Sequence, residues 1–152
     1  MTGLPFRQAA FTELIGARVE EIGEGVCRLA LTVGPNHLDG HGALHTGVLT
    51  SLMDASIGIA LGYLRRDEVR HRPHATIEMN TSFLAEGQPG DEVEVEGRVI
   101  RKGRSIAFGE AEARRRLDGE VLALGRLTFA ISSRDRSAHV TQGPSPDLEG
   151  AT

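Results

Sequence analysis

Tryptophan is absent from this chain of 152 residues, and tyrosine and cysteine occur once each. A single thiol, Cys27, cannot close an internal disulfide. The fold must therefore be held by its core, and a reducing compartment is expected. A globule of this size buries roughly 68–70% of the surface its unfolded chain exposes, so neither a metal nor a staple is needed. An excess of one charge is also lacking. The chain has 17 Lys and Arg against 21 Asp and Glu, a net charge of -4, which does not suggest a nucleic-acid partner. No apolar run reaches the ~20 residues of a membrane span. The opening "MTGLPFRQAAFTELIG" has neither the charged start nor the long apolar stretch of a signal peptide. A cytoplasmic protein with no membrane or nucleic-acid partner is expected.

What is present is order. Residues 6–15 suggest a short amphipathic helix with Phe6, Ala10, Phe11, Leu14 and Ile15 on one side, ended by Gly16. Alternation over 17–33 around "GEG" predicts a β-hairpin. The segment "GPNHLDGHGALHTG" at 34–47 holds five glycines and prolines and three histidines. It reads as a loop, the kind of segment that often carries function. A helix follows over about 47–64, with apolar residues in nearly every direction, so burial on most sides is expected. Gly58 and Gly62 each weaken it by about 1 kcal/mol relative to alanine, and they allow something to pack close. Four strand-like runs come next, at 75–85, 91–101, 105–117 and 120–131. Asp118-Gly119 is a two-residue hairpin signal, and the tight turns suggest an antiparallel meander. The fold class is α+β, a sheet curled round one long helix. The Ser-, Pro- and Gly-rich end, 132–152, reads as a disordered tail.

The stretch "LHTGVLTSLMDASIGIALGYL", residues 44–64, contains one carboxylate, Asp54. Its i±3 and i±4 neighbours are Thr50, Ser51, Ile57 and Gly58, and none is a cation. A buried carboxylate must find donors or hold its proton more tightly. Asp54 therefore either reaches solvent or caps a loop, or it serves as a general base or nucleophile at a crevice. The helix opens at His45, Thr46 and Gly47, where unpaired backbone N–H groups and the positive end of the helix dipole could hold an oxyanion. Asp54 lies roughly 10 Å further along the axis, too far for both to meet one carbon within one chain. A site shared between two subunits closes that gap.

In "DGHGALHTG" followed by Asp54, the sequence resembles the hotdog-fold acyl-CoA thioesterases of the PaaI-like group. "MNTSFL", "GD" and "KGRS" extend the similarity, which covers about 11–131. The resemblance implies an α+β hotdog fold, an antiparallel sheet wrapped around one long central helix, with 1–131 as a single domain. It implies that Asp54 acts as general base or nucleophile and that the backbone N–H of Thr46 polarises the thioester carbonyl. His45 matches the family histidine and Gly47 its second glycine. Thr76 would supply, from the partner subunit, a hydroxyl that orients the attacking water. Lys102, Gly103, Arg104 and Ser105 would meet the phosphates of CoA, which is part of the substrate, and no separate cofactor is implied. A homodimer, paired into a homotetramer, is expected.

Two residues depart from the pattern. Thr46 stands for Gly, and a backbone donor survives this only if the position does not demand φ > 0. Asp39 stands for Asn, and an ionised Asp cannot donate. A protonated Asp39 could, or Asn36 could fill the role by a register shift. Arg65, Arg66, Arg70 and Arg72 after the helix suit its negative end and could also meet CoA. His41 and His45 do not make a convincing metal pair in so flexible a loop, and no metal is expected. A nucleophile elbow is lacking. Met53 and Met79 read as core or pocket lining. The alternatives left open are hydration or dehydration of a 3-hydroxyacyl thioester, and a non-catalytic module that binds acyl-CoA.

Overall fold

The structure, a computed structural model, describes residues 8–69 and 72–134. Strands β1 (Arg18–Gly23) and β2 (Val26–Thr32) form the expected hairpin. Gly25 turns it at φ 74, a conformation that favours glycine. A 3-10 turn at Pro35–His37 leads through the glycine-rich loop into the long helix α2 (Thr46–Leu64). Strands β3 (His74–Phe83), β4 (Glu92–Lys102), β5 (Ile106–Arg115) and β6 (Val121–Ile131) follow.

All six strands pair antiparallel in the order β1-β2-β4-β5-β6-β3. The expected meander therefore holds for β4, β5 and β6 only. β3 crosses to the far edge and pairs with β6. The connection after β3 is no tight turn. It runs over the end of β6, with the Leu84 N–H donating to the Leu122 carbonyl at 2.8 Å, and reaches β2, where Gly90 N–H donates to Val33 at 2.8 Å. A long connection of this kind leaves strand order free. The Asp118-Gly119 turn is also wider than a two-residue hairpin: Arg115 N–H donates across it to Glu120 O at 2.9 Å.

One face of α2 lies in the concave sheet. Leu49, Leu52, Met53, Ile57 and Leu61 are buried there against Leu29, Leu31, Val95, Leu127 and Phe129. Each fully buried Leu or Ile is worth about 1.5–3 kcal/mol over leaving it in water. The seat is cut by glycines. A Cβ at Gly97 would lie 2.7 Å from the Ile57 nitrogen, and one at Gly109 would strike the Ile57 side chain. The other face, bearing Asp54, Gly58 and Gly62, is not packed in the core. Burial on most sides, as the composition suggested, is thus corrected to burial on one side and a groove on the other.

At the N-terminus, helix α1 is only Ala10–Leu14, and its buried residue is Thr12. Phe11 and Leu14 are 58% and 82% exposed in the single chain, opposite to the face expected. Phe6 and Arg70 lie outside the described residues, as does nearly all of the presumed tail, from 135 onward. Met53 is in the core, while Met79, on the edge strand β3, is 38% exposed. One described helix, α2, is long and apolar enough to cross a membrane, and it is the helix seated in the sheet.

Candidate functional site

The loop before α2 is held by short bonds to its own backbone. Asp39 Oδ1 accepts from the N–H of His41 at 2.8 Å and of Ala43 at 3.1 Å. Those bonds favour the charged form and hold the Asp39 carboxyl below its ordinary range. In the single chain Asp39 is an acceptor that shapes the loop, and these bonds lend no support to a protonated Asp39 standing in for Asn. Further on, His45 N–H donates to the His37 carbonyl and Leu44 N–H to Gly87, both at 2.8 Å.

The His-x-Gly spacing has a local cause. His45 is the N-cap of α2, and its Nδ1 accepts from the Gly47 N–H at 2.8 Å. The ring folds back so closely that a Cβ at position 47 would lie 2.9 Å from that nitrogen. Gly47 thus makes room for the cap, and its amide is occupied. Among the described residues nothing accepts from the Thr46 N–H. No described non-glycine residue has positive φ, so threonine at 46 carries its amide without strain. That amide stands at the positive end of a helix of 19 residues.

Asp54 faces outward from the core, half-buried. The neighbouring hydroxyls of Thr50 and Ser51 do not serve it, since both donate to the Gly47 carbonyl, at 2.9 and 2.7 Å. Its partner comes from β3. The Thr76 hydroxyl donates to Asp54 Oδ1 through a short hydrogen bond within the same chain. The expectation that this hydroxyl comes from a partner subunit is thus corrected: the same chain supplies both Asp54 and Thr76. Thr46 is eight residues back along α2, about 12 Å by the helical rise, so the donor and the acid of one chain do not converge.

Asp54 opens a groove of about 620 Å³ that runs between α2, β3 and the Phe129 ring, with Thr12 of α1 beside it. His74, two residues before Thr76 on the same strand, packs its ring edge-on to Phe129, centroids 5.8 Å apart. Sequence reading passed over His74. The signal was its i, i+2 spacing to Thr76, which puts both on one strand face. A second concavity, about 720 Å³, lies on the outer sheet face among Glu94, Glu96, Arg98, Glu112 and Arg114. Arg98 pairs with Glu96 and Arg114 with Glu112 along single strands, while Arg28 and Arg116 reach across to Glu96 and Glu94, and none of the candidate site residues lines it.

The turn at 102–105 is engaged with the helix end. Lys102 Nζ pairs with Glu68 Oε1 at 2.6 Å, and Arg65 and Arg72 reach Glu68 Oε2 at 3.0 and 3.3 Å. The Arg65 hydrogen bond, then that of Lys102, holds the Glu68 carboxyl down at about 2. Gly103 N–H closes the turn onto Ile106 O at 2.8 Å, and Ser105 O accepts from Ile131 at 2.7 Å. Arg104 lends only its carbonyl, to Arg72 at 3.3 Å, and its guanidinium has no carboxylate partner among the described residues. Arg66 stacks 4.1 Å from the Tyr63 ring centroid and bonds Glu24 at 2.5 Å.

Residues 41–122, just over half of the chain, match the family model described as the thioesterase superfamily. A Caenorhabditis elegans protein with a provisional esterase name is 31% identical over 118 residues, 78% of this chain and 66% of that protein's length. Mouse acyl-coenzyme A thioesterase 13 is 24% identical over 115 residues, 76% of either chain. Among solved structures, the Escherichia coli PaaI protein from the phenylacetic acid degradation operon superposes with a TM-score of 0.75. It is 21% identical, with 84% of this chain and 87% of that one covered.

Proposed function

Because the chain belongs to the thioesterase superfamily and has its hotdog fold, we propose that it hydrolyses acyl-CoA thioesters to free CoA and a carboxylic acid. The observation that carries this reading is the Asp54 carboxylate, braced by the Thr76 hydroxyl at the mouth of an apolar groove. The name of the mouse relative supports CoA as the thiol partner. The chemistry needs an acid that takes a proton and a donor that holds an oxyanion. Asp54 takes the proton of a water whose oxygen attacks the thioester carbon, or attacks that carbon itself, giving an anhydride that water then opens. Thr76 fixes the orientation of the carboxylate and of the water. The oxyanion is received by the Thr46 N–H of a second protomer, whose helix start is brought to Asp54 by dimerisation. The tetrahedral centre collapses by expelling the CoA thiolate, which takes up a proton. His45 and Gly47 hold the helix start in shape, and Asp39 holds the loop before it.

Dimers of this kind pair into a homotetramer. Of the 102–105 turn, the Arg104 side chain is the cation offered to the CoA phosphates, while Lys102 is drawn to Glu68.

Thiol release from a panel of acyl-CoAs tests the proposal. Wild-type protein should release thiol and Asp54→Asn should lose about 10²–10⁴-fold. An Asp54→Asn protein with full rate would rule the role out. Loss of enoyl thioester absorbance without thiol release would favour a hydratase, and tight binding with no turnover a binding module.

A further inference from the structure

Two pairs of glycines on and beside α2 behave differently. At Gly97 and Gly109 an added Cβ would collide with α2, so packing demands them. At Gly58 and Gly62, inside α2, alanine would fit. Its Cβ would lie 3.8 Å from His74 Nε2 and 3.9 Å from Phe129 Cε1 at position 58, and 3.7 Å from His74 Cε1 at position 62. These are ordinary contacts, and neither glycine has positive φ. Glycine inside a helix is weaker than alanine, so neither packing within the chain nor backbone conformation accounts for this pair.

What the two share is the groove. Asp54, Gly58 and Gly62 are spaced i, i+4, i+8 and lie along one helix face. The rise from Asp54 to Gly62 is about 12 Å. Bare backbone and the His74 ring beside it form the floor, with Ala55, Ile59 and Phe129 as flanks. Tyr63 and Arg66 stand at the far end, stacked on each other and tied to Glu24. Between Asp54 and Arg66 the helix contributes no charged side chain to the lining.

We propose that the acyl group of the substrate is a straight aliphatic chain lying along this groove, with Gly58 and Gly62 setting how far it reaches. The proposal rests on the hydrolase reading above. An acyl group whose carbonyl sits at Asp54 must continue from that carbon, and the groove begins there. A compact aromatic group would occupy the first turn and leave Gly62 without use; an extended chain passes over both glycines before it meets Tyr63.

The test is the chain-length profile of kcat/KM over straight-chain acyl-CoAs from butanoyl to dodecanoyl, with phenylacetyl-CoA for comparison. Gly62→Ala should lower the ratio of the longest to the shortest active substrates, by about fourfold for each methylene displaced from the groove. Gly58→Ala should move the cut-off one helical turn nearer the carbonyl. Both variants should melt at or above the wild-type temperature, which separates the effect from misfolding. Unchanged profiles in both variants, or a wild type that prefers phenylacetyl-CoA to every straight chain, would overturn the proposal while leaving the hydrolase reading intact. If the wild type releases thiol from no acyl-CoA, the hydrolase reading itself fails. Dissociation constants of the same acyl-CoAs then decide: affinity that rises with chain length in wild type but not in Gly62→Ala upholds the groove assignment, and a flat series refutes it.

Discussion

Thr76, on the edge strand β3, donates its hydroxyl hydrogen to Asp54 Oδ1 on the central helix, across 22 positions of sequence. A hydrogen bond to a charged acceptor is worth about 1.5–3 kcal/mol. Thr76→Val should therefore lower kcat by about 10–100-fold with little change in melting temperature, and Thr76→Ser should restore most of it. Steady-state kinetics on the three proteins checks this. A Thr76→Val enzyme with wild-type kcat would separate the hydroxyl from the reaction.

Asp39 presents Oδ1 to two backbone N–H groups and can give nothing back. Asn at this position keeps the acceptor oxygen and adds an amide donor. Asp39→Asn should preserve the loop and raise kcat/KM by about 2–10-fold, the value of one neutral hydrogen bond. A fall in rate would mean that the negative charge itself is used.

Lys102 and Arg104 should differ in kind. Lys102→Ala removes a cation from the Glu68 cluster and should lower the melting temperature. Arg104→Ala removes a cation without a carboxylate partner and should raise KM for acyl-CoA by several-fold with stability unchanged. Thermal melts beside KM values separate the two. The reverse assignment would move the phosphate contact to Lys102.

Glu68 couples this corner to pH. Its carboxyl is held at about 2 in the fold, against an ordinary 4.5 in the unfolded chain. A depressed acid stabilises the fold fully above its unfolded value, and the benefit fades as pH falls from 4.5 toward 2. The side chain is 22% exposed, so solvent screening discounts the worth to about 1–2 kcal/mol. Glu68→Gln should cost that much in urea denaturation at pH 7 and nothing near pH 2. A constant difference at all pH values would refute the linkage.

Cys27 is fully buried, and burial pushes its thiol up to about 12. The native protein should resist thiol reagents at pH 8 and react at a rate set by unfolding. Fast labelling of the folded protein would contradict its packing.

The sequence alone was enough to place Asp54 on a helix, to mark the helix start at His45-Thr46-Gly47, and to give six strands of the right kind. Those features are local: spacing, capping and alternation are written within a few residues of each other. Tertiary structure decided the rest. Only pairing across the sheet put β3 beside β6, and that placement brings Thr76 to Asp54. Helix periodicity showed α2 apolar all round, but the sheet is concave on one side only, so half of that surface became a groove. Lys102 read as a free cation because Glu68 lies far off along the chain; the fold sets them 2.6 Å apart. Contacts between distant segments depend on how the sheet curls, and no short stretch of sequence encodes that.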